Sequence, residues 1–194
     1  MHVALIVPVK SFAIAKGRLA TALTAQQRAN IAKQCAEQVV RAGSPWSVYV
    51  VCDDDTVASW ASALDAHVVR CNEPGIDAAV NAGRQQAAAD GIDHVVIAHS
   101  DLPLARRFDH LPRPDTITFV PDRHQDGTNV IALPVTSPFT TAYGPQSFPR
   151  HVERAKTMNL PFQIITDDDL ALDLDTADDL SELHQRREHN NPAQ

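Results

Sequence analysis

The run VVRCNEPGIDAAVNAGRQQAAADGIDHVVIA, residues 68–98, decides the fold class. It opens on the apolar pair Val68-Val69 and passes through an Ala-rich segment from Ile76 to Asp90. Gly91 ends that segment, and the run closes on Val95-Val96-Ile97-Ala98. Short β-branched runs on either side of a helical segment predict strand, helix, strand, the unit that joins parallel neighbours in one sheet. The same rhythm extends toward the N-terminus. Val48 to Val51 is a strand, and Asp53-Asp54-Asp55 opens a helix running to about Leu64. Carboxylates suit a helix N-terminus, so capping accounts for that acidic triplet. Upstream, Ile31, Cys35, Ala36, Val39 and Val40 form a helical stripe within Thr24 to Ala42, with Thr24 as N-cap and Gly43 and Pro45 as the stop. Val3 to Val7 is the first strand.

After Asp101 the rhythm changes. Arg106 to Pro114 is rich in Pro and Arg, with room for one short helix. Thr116 to Val120 and Val130 to Leu133 read as strands flanking the polar turn from Asp122 to Gly127. A helix from about Gln146 to Met158 follows, then strands near Phe162 to Ile165 and Leu170 to Leu174. A last helix opens at Thr176 or Asp178. The 194 residues suit one α/β domain, residues 1–187, with 188–194 as a frayed tail.

Composition narrows the class. A net charge of −7 argues against a general nucleic-acid binder, which needs a dense Lys/Arg surface, but leaves room for a small anionic substrate held by a few local cations. No apolar run approaches the length that spans a bilayer, and the N-terminus lacks the features of a signal peptide, so a cytoplasmic protein without membrane contact is expected. Three cysteines without C-x-x-C spacing fit buried, reduced thiols, and nine scattered histidines show no zinc-ligand pattern.

Four segments could carry chemistry. The loop Pro8 to Leu19 leaves the first strand at its carboxyl end, where open α/β sheets bind ligands. It sets Lys10, Lys16 and Arg18 within nine residues, cations that suit a triphosphate, although a solvated basic loop has the same composition. His99-Ser100-Asp101-Leu102-Pro103 puts a carboxylate at the end of the fourth strand, where it could hold a hard cation or merely begin a turn. In Leu170 to Leu180, strand alternation sends the leucines to one face and Asp173 and Asp175 to the other. With Asp101 these two would make a carboxylate cage for Mg²⁺, whereas Asp178 and Asp179 suit the dipole of the next helix. Finally, Gly127-Thr128-Asn129 and Gly144 to Ser147 offer hydroxyls, backbone donors and the start of a helix, whose free N–H groups bind anions. Ser147 reads equally as a capping residue, and residues 122–127 as a hairpin turn.

In order along the chain stand P-V-K, A-K-G-R-L, P-G-I-D-A-A, D-L-P, D-G-T-N, Y-G-P-Q-S-F and D-L-D-T-A-D-D-L. This ordered set, from Pro8 to Leu180, resembles the phospholactate guanylyltransferases of deazaflavin coenzyme F-420 biosynthesis, within the molybdopterin-guanylyltransferase-like nucleotidyltransferases. The resemblance implies a Rossmann-like three-layer α/β sandwich with a mixed, mainly parallel sheet. It implies GMP transfer from GTP to 2-phospho-L-lactate, phosphoenolpyruvate or 3-phospho-D-glycerate. It assigns triphosphate contacts to Lys10, Lys16 and Arg18, with Gly75 and Asp77 near the base or ribose. Asp101 with Asp173 or Asp175 would hold Mg²⁺, Lys16, Arg18 and Asp101 would be catalytic, and Thr128, Gly144 and Ser147 would contact the acceptor. Two departures stand out: members often carry asparagine where Asp77 stands, and His99-Ser100 replaces small residues before the aspartate. The rival readings are a same-fold enzyme using CTP and a sugar acid, and a non-catalytic nucleotide-binding module. A homodimer is common for domains of this size.

Overall fold

The longer apolar runs form strands buried along nearly their whole length, which requires a sheet covered on both faces, while the short runs at its two margins are partly exposed. The computed structural model describes residues 1–190 and shows such a sheet. Its strands are β1 (Val3–Pro8), β2 (Ser47–Cys52), β3 (His67–Arg70), β4 (His94–Ala98), β5 (Ile117–Pro121), β6 (Thr128–Pro134) and β7 (Phe162–Ile164), in the order β3-β2-β1-β4-β6-β5-β7. All neighbours are parallel except where β6 runs against β4 and β5. The structure thus bears out the mixed, mainly parallel three-layer sandwich.

The pleat of β1 divides the core. Leu5 and Val7 pack under α1 (Ala25–Ala42) and α2 (Asp55–Ser62), with Val39, Trp60 and Phe108. Ala4 and Ile6 pack under α3 (Ile76–Ala89) and α4 (Ser147–Thr157), with Val80, Phe119 and Phe148. The α3 contact is tight: a Cβ on Gly83 would lie 2.6 Å from Ile6 Cγ2 and 3.0 Å from Val51 Cγ2, so only glycine lets the helix this close. Thr24 and Gln27 form a capping box on α1, and the Asp54 carboxylate accepts from the Val57 N–H at 2.9 Å. Capping therefore accounts for Asp54 of the acidic triplet, while Asp55 pairs with Arg70 at 2.6 Å.

Three expectations change. Leu170 to Leu174 joins no strand; it is an extended loop whose alternation survives because Leu170, Leu172 and Leu174 insert into the core while Asp173 and Asp175 stay partly exposed. Arg106 to Pro114 forms no helix. Its prolines and turns are anchored instead by buried Phe108 and Leu111. The last helix, α5 (Ala177–Asn190), takes in Glu188 to Asn190, which the sequence assigned to a frayed tail; the rest of that tail, 191–194, lies outside the described residues. No helix among the described residues is long and apolar enough to cross a membrane.

Candidate functional site

Parallel β1, β2, β3 and β4 all end at one edge of the sheet. Antiparallel β6 begins there, because Ala98 pairs with Val130. At this edge lies a cleft of about 800 Å³, walled by Lys10 and Lys16 of the first loop, Gly75 before α3, and His99, Asp101 and Asp175. The loop between β1 and α1 is two short 3₁₀ turns, Phe12–Ile14 and Gly17–Leu19, with Lys16 between them in the left-handed region (φ 59°). That conformation is costly for a lysine, and it turns the side chain inward.

Lys16 Nζ stands 2.7 Å from Asp101 Oδ2 and 3.0 Å from Asp175 Oδ1, with only 6% of its side chain exposed. Burial alone would lower the Lys16 pKa, yet the two carboxylates raise it above the usual value, so the ammonium is retained. Burial would likewise raise Asp101, but Lys16 and then His99 hold its carboxyl below the usual range. Asp173 has no such partner. Burial first, then Asp101 and Asp175, push its carboxyl up. Two carboxylates thus bracket one ammonium, and Asp173 lies close enough to both carboxylates to feel their charge.

No group of three His, Cys, Asp or Glu side chains among the described residues is arranged to hold a metal ion. The donor set nonetheless fits one. Asp101 Oδ1 is buried without a hydrogen-bond partner, and Lys16 holds a positive charge between two carboxylates, where a hard cation would find hard oxygens. Mg²⁺ draws most of its remaining ligands from water and phosphate, so two or three carboxylates suffice.

The other expected residues divide. Arg18 is largely exposed, at 78% of its side chain, and reaches Asp175 at 3.8 Å. Gly75 (φ 99°) lets the chain turn into α3 with open space beside it. Asp77 is not on the cleft wall: its Oδ1 accepts from the Tyr143 N–H at 3.2 Å, so the carboxylate assigned to the nucleotide is committed to the loop before α4. Thr128 and Ser147 are buried side by side, with the Thr128 N–H donating to Ser147 Oγ at 3.1 Å. The expectation of free N–H groups at the start of α4 fails. Ser147 N–H bonds Gly144 O, Phe148 N–H bonds Asp126 O, and Pro149 has none. Gly144 (φ 115°) shapes that turn, and the N-cap is Gln146 rather than Ser147. Residues 122–127 are a hairpin turn, with both Asp122 carboxylate oxygens accepting backbone N–H groups inside it.

The sequence reading passed over two groups. Asp179, assigned to the helix dipole, accepts from the Asp175 and Thr176 N–H groups and pairs with Arg123, so it fixes the backbone that presents Asp175. His151 is fully buried in α4; its spacing of four from both Ser147 and Ala155, which share its buried face, was the available signal. His99 Nε2 and the Tyr143 hydroxyl are buried without partners, their rings 5.2 Å apart.

Comparison with known proteins places this geometry in a family. The model of the family described as "Guanylyl transferase CofC like" matches residues 3–191. The phosphoenolpyruvate guanylyltransferase of Chloroflexus aggregans is 32% identical over 190 residues, covering 90% of this chain and 93% of that protein. The 3-phospho-D-glycerate guanylyltransferase of Phenylobacterium zucineum is 29% identical, covering 87% of this chain and 84% of that protein. A nucleotidyl transferase from Methanothermobacter thermautotroptrophicus shares the fold, with a TM-score of 0.69 at 14% identity over 98% of this chain and 99% of that one. The match spans nearly the whole chain, and the chain belongs to the CofC-like guanylyl transferase family.

Proposed function

We propose that this protein transfers GMP from GTP to a small phosphorylated carboxylic acid, releasing pyrophosphate, as a step in deazaflavin coenzyme F-420 biosynthesis. The acceptor is 2-phospho-L-lactate, phosphoenolpyruvate or 3-phospho-D-glycerate; relatives named for the latter two support that class. The observation that carries the reading is Lys16 held between Asp101 and Asp175 on the wall of a cleft that also presents Lys10.

The acceptor phosphate is ionised at neutral pH, so the reaction needs no general base. A phosphate oxygen of the acceptor attacks the α-phosphorus of GTP, the bond from that phosphorus to the bridging oxygen breaks, and pyrophosphate carries away the charge. The protein's work is alignment and charge neutralisation. Lys10 and the exposed Arg18 meet the triphosphate, Lys16 meets the reacting phosphates, and the open backbone at Gly75 admits the nucleoside. The acceptor meets the sheet edge where β6 begins, beside the buried Thr128 and Ser147 pair, rather than the helix N–H groups that the fold consumes. Asp101 with Asp173 or Asp175 would hold Mg²⁺, which would supply positive charge to the phosphates.

The test is pyrophosphate release with Mg²⁺, crossing GTP, CTP and ATP against the three phosphoacids. Release confined to GTP with one or more of these acids is expected. Release with CTP rather than GTP, or GTP binding without turnover on any of the three acids, would overturn the proposal in favour of one of its rivals.

A further inference from the structure

We propose that Lys16 is a resident counter-ion that keeps Mg²⁺ out of the Asp101–Asp175 site until GTP arrives, so that metal and nucleotide bind as one event. The inference rests on the reading of Asp101 and Asp175 as ligands of Mg²⁺ in GMP transfer.

The position of the ammonium comes first. Lys16 Nζ lies 2.7 Å from Asp101 Oδ2 and 3.0 Å from Asp175 Oδ1, and the Arg18 guanidinium stands 3.8 Å from Asp175 Oδ2. Of the oxygens on these two carboxylates, only Asp101 Oδ1 is buried without a partner. A Mg²⁺ ion binds oxygen at about 2.0–2.1 Å, so on the oxygens that Lys16 holds it would stand within about 5 Å of the ammonium. Lys16 exposes only 6% of its side chain, and water screens the repulsion poorly at such a site. Net charge leads to the same result. One ammonium and one guanidinium balance these two carboxylates, which leaves little to draw a divalent ion.

The transfer of GMP gives Lys16 a second set of partners, the phosphates of GTP. A triphosphate brings several negative charges into the cleft and competes with the carboxylates for the ammonium. As Lys16 moves to phosphate, the oxygens it held open to the metal, and the same phosphates complete the metal's ligands. The loop is built for such a hand-over. Lys16 is held at φ 59° between the turns Phe12–Ile14 and Gly17–Leu19, a conformation that persists only where contacts impose it. At Gly17 an added Cβ would touch nothing within 4 Å, so the chain has room to follow the ammonium. The site is also reachable, since Asp175 exposes 41% of its side chain and shares the cleft wall with Lys16 and Asp101.

The first test is metal binding without turnover. Mn²⁺, which takes the same oxygen ligands and is detected by paramagnetic resonance, is titrated into wild type and Lys16→Met without GTP. The variant should bind it about tenfold more tightly or better. Equal or weaker binding by a variant with wild-type circular dichroism overturns the inference. The second test needs no variant. ¹H–¹⁵N NMR of the lysine side chains follows the Lys16 ammonium, whose burial slows its proton exchange. Millimolar Mg²⁺ alone should leave that signal in place, and Mg²⁺ with GTP, without acceptor, should shift it. A signal displaced by Mg²⁺ alone, or unmoved by Mg²⁺ with GTP, refutes the hand-over. Asp101→Asn separates the two levels. If it abolishes Mn²⁺ binding while Lys16→Met does not strengthen it, the inference alone fails; if it leaves every titration unchanged, the metal reading of Asp101 fails and carries the inference with it.

Discussion

Replacing Lys16 with methionine removes the one ammonium bonded to both Asp101 and Asp175 and keeps most of the side chain's volume. Breaking a buried ion pair from one side costs about 3–5 kcal/mol, because the remaining charge stays desolvated. Asp175 is 41% exposed and water will screen it, so the lower end, about 3 kcal/mol, is expected here. For a domain of this size that corresponds to a melting temperature lower by roughly 6–12 °C. The loss should depend on pH in a definite direction. In the wild type the Asp101 carboxyl lies below its usual range, so its stabilisation is present above the unfolded pKa and fades only in strong acid. In Lys16→Met, burial without the cation raises that carboxyl, and stability is lost as pH rises through the carboxylate range. The gap between the two proteins should therefore be small near about pH 4 and reach its full size near about pH 8. Thermal unfolding of both proteins across that range, followed by circular dichroism, measures it. Equal melting temperatures at the alkaline end, or a gap that does not change with pH, would refute the argument. Added Mg²⁺ should stabilise the variant more than the wild type, since the carboxylates then lack their own cation.

Asp101→Asn should cut turnover by a hundredfold or more, on the order of ~3 kcal/mol of transition-state charge stabilisation, while circular dichroism shows an intact fold; near-full activity would remove Asp101 from the chemistry. His94 and His151, both buried, have pKa values pushed down to about 4. Because the unfolded chain binds protons from about pH 6.5 downward and the folded one does not, stability is complete above that value and is lost as pH falls toward 4, by roughly 3 kcal/mol per histidine. A urea midpoint unchanged between about pH 7 and pH 5 would contradict this. Gly83→Ala should destabilise by about 1–3 kcal/mol, since the new Cβ would meet Ile6 and Val51 methyl groups; an equal or higher melting temperature would show that α3 can shift at no cost.

The sequence by itself determined the elements whose signal is local. Val48 to Val51 and Val95 to Ala98 had to be strands buried on both faces, because no polar residue interrupts them. Thr24 and one of Asp53-Asp54-Asp55 read as caps, because a hydroxyl or carboxylate just before a helical stripe satisfies N–H groups that the helix leaves open; the structure selects Asp54. Lys16, with Lys10 and Arg18, and Asp101, Asp173 and Asp175 could be named as candidates as well, although a solvated loop or a turn leaves the same residues in the sequence. Only the tertiary structure decided what depends on partners distant in sequence. Lys16 meets Asp175 across 159 residues, and no local rule reports that contact. The alternation from Leu170 to Leu174 looked like a strand because leucines that insert into a core every second residue leave the same pattern whether or not a neighbour supplies ladder hydrogen bonds. The helix start at Ser147 looked open to an anion until the Asp126 carbonyl, from a different turn, took the Phe148 N–H. The face of Thr128, and with it the partnership with His151, followed from one extra residue in β6, Asn129, opposite the Val120–Pro121 step of β5, and because side chains alternate with a period of two, such an insertion reverses what the strand presents.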